Sequence, residues 1–142
     1  MRVIDFGDHP VTMLDITQER MGPHMLKVHV PGLGVLHHFT APDLGDYHDH
    51  PWEFRSTILK GSYMEEILLP DGRVLTAPRH QNDSFIITAG WMHRIIELPE
   101  GQCWTCIEVL TPKVQEPAFY RHEGGRLLRR QWNEANFAQV AA

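Results

Sequence analysis

Short runs of β-forming residues, each ended by Gly, Pro or Asp, make up most of the chain. Apolar positions follow no helical period of useful length before the last dozen residues. This pattern predicts short strands joined by turns. The runs expected to be strands are VTMLDIT, HMLKVHV, GVLHHFT, EFRSTILK, YMEEILL, RVLTA, SFIIT, MHRIIEL, CWTCIEVL and RLLRRQW.

Turn-forming residues separate these runs. LLPDGRVL and ELPEGQCW are expected to be hairpins around Pro-Asp-Gly and Pro-Glu-Gly, and HEGGRLL supplies paired glycines whose φ can be positive. Many short strands with frequent turns predict an all-β sandwich or barrel. Only the tail, NEANFAQVAA, is compatible with a short C-terminal helix. Because no linker, repeat or low-complexity segment interrupts the pattern, residues 1–142 are expected to form one domain.

Composition and charge narrow the class of partner. Hydrophobic residues make up 42% and charged residues 22%, as in ordinary globular proteins. Asp plus Glu outnumber Lys plus Arg by 18 to 13, and the cations do not collect on one segment, so nucleic acid is not an expected partner. No long apolar run and no signal-peptide core occur, so we expect a cytoplasmic protein without a membrane partner. The two cysteines of CWTC lie in a predicted strand and are expected to be free thiols.

Histidine is the unusual residue, with ten in the chain. His48 and His50 stand one residue apart in YHDHPWEF, and residues i and i+2 of a strand share a face. Both imidazoles can therefore point at one metal ion. An isolated pair beside Asp46 and Asp49 would instead be read as two solvated side chains.

A third imidazole is available from ITAGWMHRIIEL. There a turn at Ala89-Gly90 precedes His93, which enters the next predicted strand. If that strand lies beside the first one, His93 joins His48 and His50. Mononuclear metal sites commonly use three or four protein ligands and leave a position open for substrate.

The two segments together resemble the motifs of the cupin superfamily. The first cupin motif, G-x5-H-x-H-x3,4-E-x6-G, matches at His48, His50 and Gly61, and the second, G-x5-P-x-G-x2-H-x3-N, matches in spacing at Gly90 and His93. The resemblance covers about residues 34–110 and extends to small, mostly uncharacterised bacterial and phage cupins. It implies a double-stranded β-helix, or jelly-roll barrel, one divalent metal ion and a homodimer.

Several positions depart from the motifs. In the first motif, Pro42 replaces the opening glycine. In the second, Asn82 replaces the opening glycine, Thr88 the proline and Glu97 the closing asparagine. The family's glutamate ligand would fall where this chain has Phe54 and Arg55, and the nearest carboxylate is Glu53, one residue early. In a regular strand Glu53 would face away from the histidines, but a bulge at the preceding proline would turn it inward. We therefore carry two hypotheses: a site with Glu53 as a tentative fourth ligand, and a three-histidine site.

Other residues are candidates for the surroundings of the site. Glu97 can face inward and orient an imidazole, or it can be a surface carboxylate. His37 and His38 are adjacent, so only one of them can line a pocket. Arg55 and Tyr63 are candidates for positioning a substrate carboxylate.

The expected function follows from the metal and from the resemblance. Three imidazoles suit Fe, Mn, Ni, Co or Zn, and the ligand set does not choose among them. The cupin resemblance implies an enzyme acting on a small anionic or keto-bearing molecule, with an iron dioxygenase as the leading hypothesis. The alternatives are a non-catalytic small-molecule-binding or sensor cupin, and an isomerase or epimerase that uses its metal as a Lewis acid.

Overall fold

Strands form all the regular structure that the computed structural model describes, which covers residues 2–6, 9–13, 16–32 and 34–141, the first two ranges as backbone only. The strands are β1 (Arg2–Phe6), β2 (His9–Met13), β3 (Thr17–Arg20), β4 (Met25–Val30), β5 (Gly34–Phe39), β6 (Tyr47–His48), β7 (Phe54–Gly61), β8 (Tyr63–Leu68), β9 (Val74–Arg79), β10 (Ser84–Ile87), β11 (His93–Glu97), β12 (Cys103–Val109), β13 (Ala118–Glu123), β14 (Arg126–Gln131) and β15 (Ala138–Gln139). Nowhere in these ranges is there a helix long and apolar enough to cross a membrane.

The strands form two antiparallel sheets and one separate hairpin. Sheet I has six strands in the order β10-β7-β12-β5-β4-β3, and sheet II has seven in the order β15-β14-β13-β6-β11-β8-β9. The separate hairpin is β1-β2. From β5 to β13 the chain crosses repeatedly between sheets I and II, which is the topology of a jelly roll. The predicted all-β jelly-roll fold is confirmed.

Alternation along the strands decides which residues enter the space between the sheets. In β7, Phe54, Ser56 and Ile58 are buried while the residues between them are partly exposed. Because successive side chains of a strand point to opposite faces, these three line the interior. Ile58 packs there with Ile95 of the opposite sheet, and such full burial contributes about 1.5–3 kcal/mol per side chain.

Two of the three predicted hairpins are confirmed. LLPDGRVL joins β8 to β9, and HEGGRLL joins β13 to β14 through Gly124 and Gly125, both with positive φ. The hairpin predicted at ELPEGQCW is wrong. A turn forms there, with the Gly101 N–H donating to the Leu98 carbonyl at 2.9 Å, but β11 belongs to sheet II and β12 to sheet I. The segment is a crossover, because a turn motif specifies the local reversal and not the partner of the next strand.

The expected C-terminal helix is also wrong. The tail forms the short strand β15, in which Ala138 and Gln139 pair with Arg129 and Leu128 of β14. A segment of this length is marginal as an isolated helix, whereas the edge of sheet II offers it backbone hydrogen bonds. Phe137 adds a packing contact, because the guanidinium of Arg121 lies 3.9 Å above its ring.

Other predicted elements can be placed directly. CWTC lies in β12 as predicted, and Cys103 and Cys106 are free thiols. The predicted strand VTMLDIT runs across residues 14 and 15, which lie outside the described residues.

Gly61 makes the sharp passage from β7 in sheet I to β8 in sheet II. Its φ is +83°, and a Cβ atom at this position would overlap the Gln102 carbonyl oxygen. The glycine at this position therefore has a steric cause. Only a residue without a side chain allows β12 to approach the pivot this closely.

Replacing Gly61 with alanine should destabilise the protein by more than the about 1–3 kcal/mol that a strained left-handed residue costs, because steric overlap adds to the strain. Chemical denaturation monitored by circular dichroism measures the loss. Gly101→Ala is the matched control, since its φ is +79° and nothing lies within 4 Å of its Cβ position. A loss for Gly61→Ala no larger than for Gly101→Ala would contradict the role of close packing.

Candidate metal centre

Three imidazoles converge on the inner face of sheet II. His48 ends β6 and His93 begins β11, and the two residues are directly opposite each other in register. His50 follows β6, and its backbone N–H donates to the carbonyl of Ala89 at 3.1 Å, which ties it to the turn before His93. One ligand atom from each of the three histidines lies within 4.8 Å of the others. The strand adjacency expected from the sequence therefore brings the two motifs together.

The nitrogen atoms of this group are arranged as ligands. Nε2 of His93 and Nε2 of His50 lie 3.2 Å apart, within the ~4.2 Å that separates two nitrogens bound on opposite sides of one ion at ~2.1 Å. Burial, followed by the neighbouring His93, holds the pKa values of His48 and His50 well below the usual range. These two rings are therefore neutral at physiological pH, and a neutral ring keeps a lone pair for a metal.

A buried carboxylate orients His93 from behind. Oε1 of Glu65 lies 2.6 Å from Nδ1 of His93, and the Glu65 side chain is fully buried. Burial alone would raise the pKa of Glu65, but the hydrogen bond from His93 and the charge of Arg79 outweigh it, so this pKa is lowered. An ionised carboxylate can only accept, so Nδ1 of His93 carries the proton and Nε2 is directed at the other imidazoles.

Two further groups hold this carboxylate. Arg79 donates from Nε to Oε2 of Glu65 at 2.9 Å, and Trp91 donates from its indole N–H to Oε1 at 2.8 Å. With three donors the buried charge of Glu65 is compensated, as a charge in a protein interior must be. Glu65 was not among the site residues predicted from the sequence. Its only signal was its position in β8, two residues after Tyr63 and therefore on the same face.

The group fits a divalent transition metal. Imidazole nitrogen suits Fe, Mn, Ni, Co and Zn. Nδ1 of His50 is buried and has no hydrogen-bond partner among the described residues, an arrangement that costs about 1–3 kcal/mol. The protein therefore keeps an imidazole that its own hydrogen bonds do not satisfy, which is typical of a functional position.

Glu53 does not belong to the converging group. Its backbone is bound to the segment that follows β12: the Glu53 N–H donates to Oγ1 of Thr111 at 3.0 Å, and the Glu53 carbonyl accepts from the Leu110 N–H. Its neighbours Trp52 and Phe54 line the interior cavity, whereas Glu53 does not. Among the described residues, the group that the structure brings together therefore contains the three histidines only.

Of the two candidates for positioning a substrate, Arg55 points away from the cavity and Tyr63 points into it. Arg55 lies on the outer face of β7, where its side chain is 43% exposed and stands 3.9 Å from Glu108. It is therefore not a candidate for contacting a ligand in the cavity. Tyr63 is buried and lines the cavity. Burial, and then the nearby Glu65, raise the pKa of Tyr63 well above its usual range, so its phenol remains a proton donor.

The remaining histidines and Glu97 also have definite places. His37 lines the cavity, and burial, followed by the charges of Lys27 and His29, lowers its pKa to about 4. His38 lies on the other face of β5, where its ring stacks on Trp104 at 3.9 Å. Glu97 is exposed, because the register of β11 shifts between Ile95 and Glu97. Glu65 occupies the orienting role that was considered for Glu97.

A cavity of about 700 Å³ opens between the two sheets at the histidine group. His48, His50 and His93 contribute to one wall from sheet II. Thr105, His37 and Lys27 contribute to the wall formed by sheet I. The site can therefore present a metal ion to an enclosed small molecule.

Comparison with known proteins supports the fold and goes no further. The sequence matches no protein-family model and no curated protein. Among solved structures, the polyketide cyclase RemF from Streptomyces resistomycificus is 16% identical over 81% of this chain and 87% of that chain, with a TM-score of 0.55. This likeness supports a cupin-like fold.

Two other solved structures overlap less. A recombinant oxalate oxidase in complex with glycolate is 13% identical over 66% of this chain and 48% of its own, with a TM-score of 0.43. Peruvianin-I, described as a cysteine peptidase from Thevetia peruviana latex, is 14% identical over 67% of this chain and 60% of its own, also with a TM-score of 0.43.

Replacing Glu65 with glutamine should weaken metal binding by about 10–100-fold, because the charge that orients His93 and increases its basicity is removed. Competition with a chromophoric chelator measures the affinity. Glu66→Gln is the matched control, because Glu66 faces the other side of β8 and pairs with Arg94 at 2.7 Å. Since Arg79 also loses its partner, a thermal melt must show that the Glu65 variant is folded. Unchanged affinity in a folded Glu65→Gln protein would contradict the orienting role.

Proposed function

We propose that the protein is a mononuclear metal-dependent enzyme of the cupin type that acts on a small anionic or keto-bearing molecule, with dioxygenation as the leading reaction. The observation that carries the proposal is the group of His48, His50 and His93 at the wall of a cavity of about 700 Å³, with Glu65 fixing one ring from behind. A structural metal would not need a substrate-sized space beside it. A catalytic one does.

Each residue of the site would have a separate role in binding the metal or the substrate. His48, His50 and His93 would hold the ion, and Glu65 holds the proton on Nδ1 of His93 so that Nε2 remains a ligand. A bound iron would supply dioxygen chemistry, and a redox-inert ion would supply Lewis acidity. Tyr63 offers an O–H donor to a substrate oxygen, because its raised pKa keeps it protonated. The apolar walls limit access of water.

A Lewis-acid isomerase or epimerase is the second candidate, and one observation favours it. Among the described residues the converging group contains no carboxylate, so the three histidines contribute no negative charge to reduce the charge of the ion. Three imidazoles with an open position also occur in catalytic zinc sites. The homodimer and the cytoplasmic location expected from the sequence stay predictions.

His48→Ala and His93→Ala should each lose most of the metal, since each removes one of the three ligands, whereas Glu53→Gln should keep wild-type affinity. Elemental analysis of protein purified without added metal gives the content, and chelator competition gives the affinity. Full metal content in both histidine variants would contradict the site. A loss of ~10-fold or more in Glu53→Gln would instead make Glu53 a ligand or a group that orients one.

The reaction class can be tested by oxygen uptake. Iron-loaded protein should consume oxygen with at least one member of a panel of keto acids, diketones and thiols, and zinc-loaded protein should not, because Zn²⁺ is redox-inert. Turnover with zinc and without oxygen uptake would replace the dioxygenase with the Lewis-acid candidate. Ligand binding without turnover under either metal would indicate a sensor or binding module.

A further inference from the structure

The walls of the cavity are mainly apolar. Away from the histidines they include Met25, Phe39, Phe54, Ile87, Ile107 and Phe119. A cavity of about 700 Å³ is within the range that takes drug-sized molecules. A two- or three-carbon acid would leave most of this apolar surface facing water. The walls favour a ligand with an extended apolar body, because burial contributes about 25 cal/mol for each Å² covered.

A polar row crosses the sheet opposite the histidine group. Thr105 of β12 pairs directly with His37 of β5, and His37 pairs directly with Lys27 of β4. Residues directly opposite in neighbouring strands share a face, and all three line the cavity. The row therefore presents a hydroxyl, an imidazole and an ammonium group to whatever lies between the sheets.

Thr105 has an unsatisfied hydroxyl. The residue is 1% exposed, and its Oγ1 has no hydrogen-bond partner among the described residues. A buried hydroxyl without a partner is unfavourable, and valine would fill the same space without that cost. The hydroxyl is thus a group that a ligand oxygen would satisfy.

Lys27 lines the cavity and forms no ion pair among the residues that the structure describes. Glu19, the residue directly opposite it in β3, is exposed and does not line the cavity. The carboxylates that line the cavity are Asp43 and Asp49, and both are engaged elsewhere. Asp43 faces His24 at 3.6 Å. Asp49 accepts from the Ala118 N–H at 2.8 Å and from a tyrosine hydroxyl at 2.7 Å. Neither carboxylate pairs with Lys27, so its ammonium group is available to an anion of a ligand.

The charged end of the row is displaced from the histidine group. His37 faces the histidine group from the opposite sheet and lines the same cavity. Lys27 lies one strand beyond His37, and neighbouring strands are about 4.8 Å apart. An anion at Lys27 is thus held away from the group that would bind the metal, as a handle and not as the reacting group.

We infer that the cavity takes an amphiphilic anion with an apolar, ring-bearing body that fills the space between the sheets. Lys27 binds its carboxylate or similarly charged group, and the Thr105 hydroxyl donates a hydrogen bond to an oxygen of the same ligand. This inference names the substrate class of the proposed enzyme and rests on that function for the reaction, but not for binding. It selects against dicarboxylates of two or three carbons, whose charge and reacting atoms coincide.

Two fluorescent probes of similar shape separate charge from apolar burial. 8-Anilinonaphthalene-1-sulfonate is anionic, and N-phenyl-1-naphthylamine is its neutral counterpart. Metal-free wild-type protein should bind the anionic probe at least ~10-fold more tightly, because a charge-assisted contact is added to the same burial. Equal affinity for the two probes would overturn the inference.

Variants then assign the contacts. Lys27→Met should weaken the anionic probe by ~10-fold and leave the neutral probe unchanged, on the scale of a hydrogen bond to a charged group. Lys60→Met, which changes an exposed lysine on the outer face of β7, should alter neither. Thr105→Val should weaken the anionic probe by about 2–10-fold while raising the melting temperature, because an unsatisfied buried hydroxyl is removed. The assignment would be overturned if Lys27→Met weakened both probes equally or neither. It would also be overturned if the Thr105→Val protein were less stable and bound the anionic probe as the wild type does.

Metal analysis of the wild-type protein, set beside the probe measurements, distinguishes this inference from the proposed function. Metal-free wild-type protein should bind the anionic probe, because the inferred contacts with Lys27 and Thr105 do not require the metal. If the protein holds no metal but the Lys27 effect is present, the enzyme proposal fails and the ligand class stands. If the metal binds but Lys27→Met leaves the affinity for the anionic probe unchanged, the ligand class fails and the enzyme proposal stands. Cooperative melting of each variant excludes probe binding to a loosened core.

Discussion

The buried charge of Glu65 is the interaction on which the candidate site depends. A fully buried carboxylate is tolerated only when donors surround it, and here an imidazole, a guanidinium and an indole all donate to it. Glu65 lies in β8, and these partners come from β9, β11 and the turn before β11. One side chain therefore fixes the tautomer of His93 and connects three strands of sheet II behind the histidine group. Breaking such a buried pair typically costs about 3–5 kcal/mol, so the arrangement ties function to stability.

The two sheets have different chemical tasks. Sheet II presents the imidazoles, since β6 and β11 are neighbours and place His48 opposite His93. Sheet I presents apolar side chains and the row of Thr105, His37 and Lys27. A jelly roll brings these walls together because its chain crosses from one sheet to the other at seven of the eight connections from β5 to β13. A ligand between the sheets would thus meet the histidine group on one side and the row of Thr105, His37 and Lys27 on the other.

The histidines could be predicted, and the groups that support them could not. His48 and His50 share a face through strand periodicity alone, and the spacing of the second motif pointed to His93. Glu65 lies in a strand whose charged neighbours, Glu65 and Glu66, are adjacent in sequence, and only the pairing of β8 with β11 shows which one is inside. Arg55 was a candidate because of its position in the motif. The alternation of β7 places it on the outer face, since Phe54 and Ser56 occupy the inner one.

The sequence by itself determined the class of fold, most of the strands, two hairpins and the three imidazoles. Each of these follows from local rules: a period of two, glycine and proline at turns, and the spacing of short motifs. The tertiary structure decided which strands became partners. As a result, ELPEGQCW connects one sheet to the other, and NEANFAQVAA adds a short strand to a sheet edge. It also decided that Glu53 stays outside the histidine group while Glu65 orients His93. Burial and hydrogen bonding between residues distant in sequence are properties of the packed sheets, and no local pattern encodes them.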